Sequence, residues 1–149
     1  QQMIEYLHGL CDLHAPADRP AFIEDHLLFT LLGFVATPTD THLFHAGDGF
    51  VLLNDKLYTI DHDNRPPYIG SHLLGHHATF VTEHRPTRDL ERLLIGTDGL
   101  RDLPVPVPEL LSRDDFFHSE VALPRYLHGL SAGGQLKDDV ALVMCRRGE

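Results

Sequence analysis

Three segments of the chain couple aspartate to an abrupt turn: Gly47-Asp48-Gly49, Thr97-Asp98-Gly99 and Lys137-Asp138-Asp139. Each adjoins a strand-like apolar run: Phe50 to Leu53, Glu91 to Gly96 and Val140 to Arg146. Aspartate is short and stiff, so a strand end holds its carboxylate in place. Hard cations such as Mg²⁺ and Mn²⁺ take oxygen ligands of this kind. Glycine after the aspartate lets the backbone turn sharply and come close to a metal or its waters. A lone Asp-Gly is a common turn. An apolar strand running into Asp98-Gly99, followed forty residues later by Asp138-Asp139 opening another apolar strand, is far more specific. Gly-Asp-Gly at 47–49 suits a hairpin by itself, so Asp48 reads first as a turn residue.

Other chemistry is weaker. The chain holds 12 histidines, which raises a His-rich metal-binding domain as an alternative, built on His72, His76 and His77 or on His42 and His45. His42 and His45 stand an odd interval apart and face opposite sides of a strand. Gly70 and Gly75 oppose the helix that would bring His72 and His76 onto one face. The sequence contains neither a Gly-x-Ser-x-Gly nucleophile elbow nor a Gly-x-x-x-x-Gly-Lys phosphate loop. Arg65, Arg85, Arg88 and Arg101 suit a phosphate or a solvated face equally. Cys11 and Cys145 sit in apolar company and read as core thiols.

The elements that must position these turns are read from periodicity. Residues 2–14 carry apolar side chains at helical spacing, and 15–20, with Pro16 and Pro20, read as a linker. Residues 26–37 are apolar enough for a buried central strand. It leads through Pro38-Thr39-Asp40 into strands at 41–46, 50–53 and 57–60, so that 26–61 forms an antiparallel meander. Strands follow at 78–84 and 91–96, within a 78–100 stretch that ends in Asp-Gly. Helices are expected over 108–130, with Ser119 as an N-cap and Pro124 bending the second helix or shifting its start. Residues 140–147 close the chain as a strand. Leu27, Leu28, Leu31, Leu32, Phe34, Val35, Leu94, Ile95, Ala141, Leu142 and Val143 are the expected core. The fold class is α+β, with stacked antiparallel sheets and helices near both ends.

Composition bounds the function. At 149 residues and 42% hydrophobic, the chain is long enough for a core and too apolar for disorder. Twelve Lys and Arg against 22 Asp and Glu leave a net charge of −10, which argues against nucleic acid and anionic membrane surfaces as partners. No run of about 18 apolar residues would span a membrane. Two distant cysteines and no secretory leader point to a reducing, cytoplasmic setting.

The three acidic turns and their flanks resemble the metal-dependent serine/threonine protein phosphatases of the type-2C family, in that family's order. Residues 43–62 (LFHAGDGFVLLNDKLYTIDH) look like its Gly-Asp-Ser hairpin. Residues 93–103 (LLIGTDGLRDL) look like its strand ending in a metal-binding Asp-Gly. Residues 136–147 (LKDDVALVMCRR) look like its closing Asp-Asn strand. The resemblance implies that Asp98 and Asp138 are metal ligands, with Gly99, Asp139 and Asp48 as backbone or supporting groups. It implies an αββα sandwich and two Mg²⁺ or Mn²⁺ ions. It also implies direct attack of a metal-bridging water on phosphoserine or phosphothreonine in a phosphoprotein or phosphopeptide. The compact loops are those of bacterial members. The family's first Asp-Gly has no counterpart before residue 40, so residues 1–149 read as the C-terminal half of such a domain. The expectation is therefore an incomplete fold, inactive alone, partnered by an N-terminal half-domain segment or a second chain. A regulatory pseudo-phosphatase with the same fold is the rival binding-module reading.

Overall fold

In the computed structural model, residues 2–62, 66–77 and 80–148 are described. Arg65 and the expected start of a strand at Ala78 lie outside them. The amphipathic start of the chain forms helix α1 (Gln2–Cys11), burying Leu7 and Cys11. A second helix, α2 (Arg19–His26), starts at the end of the expected 15–20 linker and covers residues for which no element was expected. Pro20 sits in its first turn, where a missing N–H costs nothing, so proline marks this helix's start rather than breaking it.

Among the described residues, seven strands then build two antiparallel sheets. One has the order β1 (Leu31–Ala36), β2 (Asp40–Ala46), β5 (Val81–Pro86). The other has the order β4 (Lys56–Ile60), β3 (Gly49–Leu53), β6 (Arg92–Gly96), β7 (Leu142–Arg146). The expected class, stacked antiparallel sheets flanked by helices, is what the chain adopts. The meander is not. β1 pairs with β2 and β3 with β4, but β2 and β3 belong to different sheets. The reason lies in the Gly47-Asp48-Gly49 corner. Gly47 has φ +102° and packs against Thr30, so the chain leaves one sheet there and enters the other.

Three apolar clusters hold the layers. Between the sheets lie Leu43, Leu53, Leu93 and Ile95, with Leu32, Phe34 and Val51 packed against them. Outside the four-stranded sheet, Phe50, Leu52, Leu94 and Leu100 meet short helices α3 (Val107–Leu110) and α4 (Asp114–His118), with α5 (Ala122–Ala132) packed behind. Leu7, Cys11, Ile23 and Leu27 gather α1 and α2 with the 3-10 helix Ile69–Leu74 against Ala46.

The expected central strand over 26–37 is instead the end of α2, a connector and an edge strand. Leu27 is buried among helices, whereas Val35 is 57% exposed. Ala141 and Val143 are likewise exposed because β7 is also an edge strand, while Leu94 and Ile95 are buried as expected. Ser119 does not cap the last helix. Residue Val121 does so without a side-chain bond, and Pro124 falls in the first turn of α5, so the helix starts later than expected.

His45 faces the inter-sheet space beside Tyr58 and Glu83, in a cavity of about 200 Å³. Burial holds its pKa below the usual 6.5, helped by the charge of His62 and opposed by Glu83. Below about pH 6.5 the unfolded imidazole takes up a proton that the folded one resists, so this residue removes stability as pH falls through that range. Urea midpoints at pH 7.5 and 5.5 should therefore differ more for the native chain than for His45→Gln. Equal differences would refute the assignment.

Candidate metal and phosphate site

The ends of β3, β4 and β6 that carry the acidic turns lie together. The ladders pair Gly49 with Ile60 and Phe50 with Gly96. Asp48, Asp61 and Asp98 follow closely on those last pairs, so all three carboxylates lie at one end of the four-stranded sheet, Asp98 opening a 3-10 helix. Tyr68 reports the same neighbourhood. Burial raises its hydroxyl pKa above 10.0, and the charges of Asp48 and Asp98 raise it further.

Asp48 is 8% exposed and shares a 2.6 Å hydrogen bond with Nδ1 of His62. Asp61 accepts a 2.7 Å bond from Arg101, whose guanidinium also lies over the Phe50 ring. Arg101 is thus a cation placed at the acidic end by a carboxylate on the neighbouring hairpin.

The second and third turns lock together through backbone. The Thr97 N–H donates to the Ala141 carbonyl at 2.9 Å. Its hydroxyl donates to the Asp139 carbonyl at 3.2 Å and accepts from the Ala141 N–H at 3.0 Å. Gly99 is packed directly under Asp139, where any Cβ would collide with the carbonyl group. Asp102 accepts the Lys137 N–H at 2.9 Å, pinning the start of the third turn. Asp98 and Asp138 are therefore carried by two loops in contact. Asp138 Oδ1 accepts the N–H of Asp139 at 2.7 Å.

Of the residues singled out in the sequence, Asp98, Gly99, Asp138 and Asp139 fall on these two adjoining loops, and Asp48 at the neighbouring strand end. Thr97, His62, Asp61 and Tyr68 were given no role of their own there. For Thr97, Asp61 and His62 the only signal was position, beside an acidic turn or at the end of the strand paired with one; Tyr68, ahead of the 3-10 helix Ile69–Leu74, had none.

The donors suit a hard dication, being carboxylate oxygens. Their number is short. Among the described residues no group of three or more His, Cys, Asp or Glu side chains could hold a metal ion. The same finding covers the histidines. His42 meets His84 with the rings tilted by 41°, and Nε2 of His84 bonds Asp40 at 2.7 Å, so the pair is a surface contact.

No family model matches the chain, and no curated protein matches it. Among solved structures, it is similar to the phosphatase domain of the cell fate determinant SpoIIE from Bacillus subtilis, presoaked with Mn. The two share 13% identity with a TM-score of 0.39. The match covers 96% of this chain and 64% of that one, so the chain spans less than two thirds of that domain. No helix among the described residues is long and apolar enough to cross a membrane.

Proposed function

We propose that the chain carries the C-terminal part of a Mg²⁺- or Mn²⁺-dependent phosphoprotein phosphatase, with Asp98 and Asp138 as its metal ligands. The observation that carries this reading is the backbone lock between the Asp98-Gly99 and Asp138-Asp139 turns. The ladder that ends at Gly96 and Leu142 brings the two turns together, and the Thr97 bonds and the close fit of Gly99 under Asp139 fix them against each other. Thr97 and Asp102 act as positioning residues, holding the two loops in register. Arg101 stands ready for a phosphoryl oxygen. When bound, such ions supply Lewis-acid neutralisation of phosphoryl charge and a lowered pKa for water.

The remaining ligands belong, in this reading, to an N-terminal segment of the same protein. The outer face of the three-stranded sheet supports such a partner. Val35 and Phe80 are 57% and 52% exposed there, and Phe80 stacks on Phe44. Helices α1 and α2 cover only the part of this face around Ala46, and the exposed apolar side chains beyond them favour a further cover. A regulatory pseudo-phosphatase is the second reading. It is favoured by the partners Asp48 and Asp138 already have in His62 and the Asp139 N–H.

The test is hydrolysis of a small aryl phosphate with Mn²⁺ by residues 1–149 and by the same chain extended upstream. The extended protein should turn over and lose about 100-fold or more on Asp98→Asn, while residues 1–149 alone stay inactive. Robust Mn²⁺-dependent turnover by residues 1–149, lost on Asp98→Asn, would place the whole site in this chain and overturn the half-domain proposal. Inactivity of both forms would select the regulatory reading.

A further inference from the structure

β7 is the last strand of its sheet, with β6 on one side and, among the described residues, no strand on the other. The Thr97 N–H bonds the Ala141 carbonyl at 2.9 Å, and the Arg147 N–H bonds the Glu91 carbonyl at 2.8 Å. The ladder thus runs from Ala141 to Arg147. Antiparallel bonds fall on alternate residues, so the odd-numbered residues of β7 bond β6. Leu142, Met144 and Arg146 turn their N–H and C=O groups to the free edge.

Charged side chains commonly blunt such edges. β4 carries Lys56, and β5 carries Glu83 and Arg85. On β7 the one charged side chain is folded away: Arg146 donates to Asp114 at 2.6 Å and lies over the Phe117 ring in the helical layer. Towards the other sheet the edge presents Val143, which in the single chain is 53% exposed. Two cavities notch this side of the sandwich. One of about 190 Å³ is bounded by Leu32, Ile95 and Val143, and one of about 210 Å³ by Phe34, Ala36 and Cys145.

We propose that β7 pairs antiparallel with β7 of a second copy of this chain, about a two-fold axis at Val143, joining two four-stranded sheets into one of eight strands. Burial and charge select the partner and the register. Val143 and Cys145 face the other sheet, whereas Leu142 and Met144 face the helices. Each face must continue across the axis, so odd residues stand opposite odd ones. The strand is acidic before its start, at Asp138-Asp139, and basic at its end, at Arg146-Arg147. An axis at Val143 sets Asp139 towards Arg147 of the second copy, twice by symmetry. An axis at Leu142 would set Lys137 there instead, and one at Met144 would leave Arg147 opposite Ala141. Thr97 holds Asp139 at this strand end through its carbonyl. Arg147 commits Nη1 to the Arg88 carbonyl and keeps other donors; Glu91 stands on its other side, on β6. Val143 of the second copy closes the first notch, and its Ala141 falls beside Cys145 at the second. β1, the other edge here, has no charge from Thr30 to Thr37 to set a register. The net charge of −10 opposes self-association at long range, which leaves the local pairs to decide it. The interface does not rest on the phosphatase reading.

Sedimentation equilibrium of residues 1–149 should show a reversible monomer–dimer equilibrium. Asp139→Lys and Arg147→Glu, each alone, turn both attractive pairs repulsive and should weaken dimerisation about 10-fold or more. An equimolar mixture of the two variants should recover native strength, because the heterodimer restores both pairs. Val143→Cys should form a disulfide-linked dimer under mild oxidation, since the unbonded pairing at the axis brings facing side chains closest. The native thiols Cys11 and Cys145 should give none. A chain that stays monomeric, a dimer indifferent to the charge changes, or a mixture no stronger than either variant alone would overturn the proposal.

Discussion

Replacing Leu94 with alanine should cost the folded state about 2–5 kcal/mol. Leu94 is 0% exposed and sits on β6, flanked by Leu52 of β3 and Met144 of β7 in the ladder. On its outer side it belongs to the cluster with Leu100, Leu110 and Phe116, so strands and helices both lose contacts. Neighbouring strands cannot collapse into the space without breaking ladder bonds, which keeps the cavity open. Set against a typical stability of about 5–15 kcal/mol, that loss is large. Urea denaturation measures it. Val143→Ala, at a side chain 53% exposed, is the control and should cost less than about 1 kcal/mol. A Leu94→Ala loss as small as that control would mean that the helical layer does not pack on this sheet.

Gly99→Ala should be nearly as damaging, and for a different reason. The added methyl meets the Asp139 carbonyl group and the Val140 side chain, and the first of these is backbone, which cannot rotate away. The two acidic turns must separate, and the Thr97 bonds to Asp139 and Ala141 must stretch or break. Overpacking of this kind costs about 1–3 kcal/mol. In the extended protein, Mn²⁺-dependent turnover should fall with it, because Asp98 and Asp138 move apart. Thermal melting and the aryl phosphate assay read the two effects separately. A stable variant with undiminished turnover would show that the contact between the turns is not what aligns them.

Much of the local structure was legible in the residues themselves. The alternation at 41–46 and 57–60 and the apolar runs at 50–53 and 91–96 all correspond to strands, because period-two burial is a property of the strand alone. Helix α1 shows its spacing in the same way. The run at 26–37 misled because hydrophobicity records that side chains leave water, not which neighbours receive them. Leu27 is taken up by helices, whereas Val35 stays 57% exposed on an edge strand. Helix α2 was hidden by proline, whose meaning depends on whether it stands in the first turn or later.

The sequence by itself determined the chemistry on offer: aspartates at strand ends, each beside a glycine or a second aspartate, in a chain with charge to spare for a cation. Only the tertiary structure decided which of them meet. The pairing of β3 with β6 puts Asp48 and Asp98 at the same end of the sheet, the pairing of β6 with β7 brings the Asp98 turn to the Asp138 turn, and the β3–β4 hairpin delivers His62 and Asp61. It also set Arg92 against Arg146 at the far end, a juxtaposition that residues 54 positions apart cannot announce. Strand partners are chosen by the burial of whole faces, a sum over many side chains. Spacing along the chain therefore fixes each turn but not its neighbours.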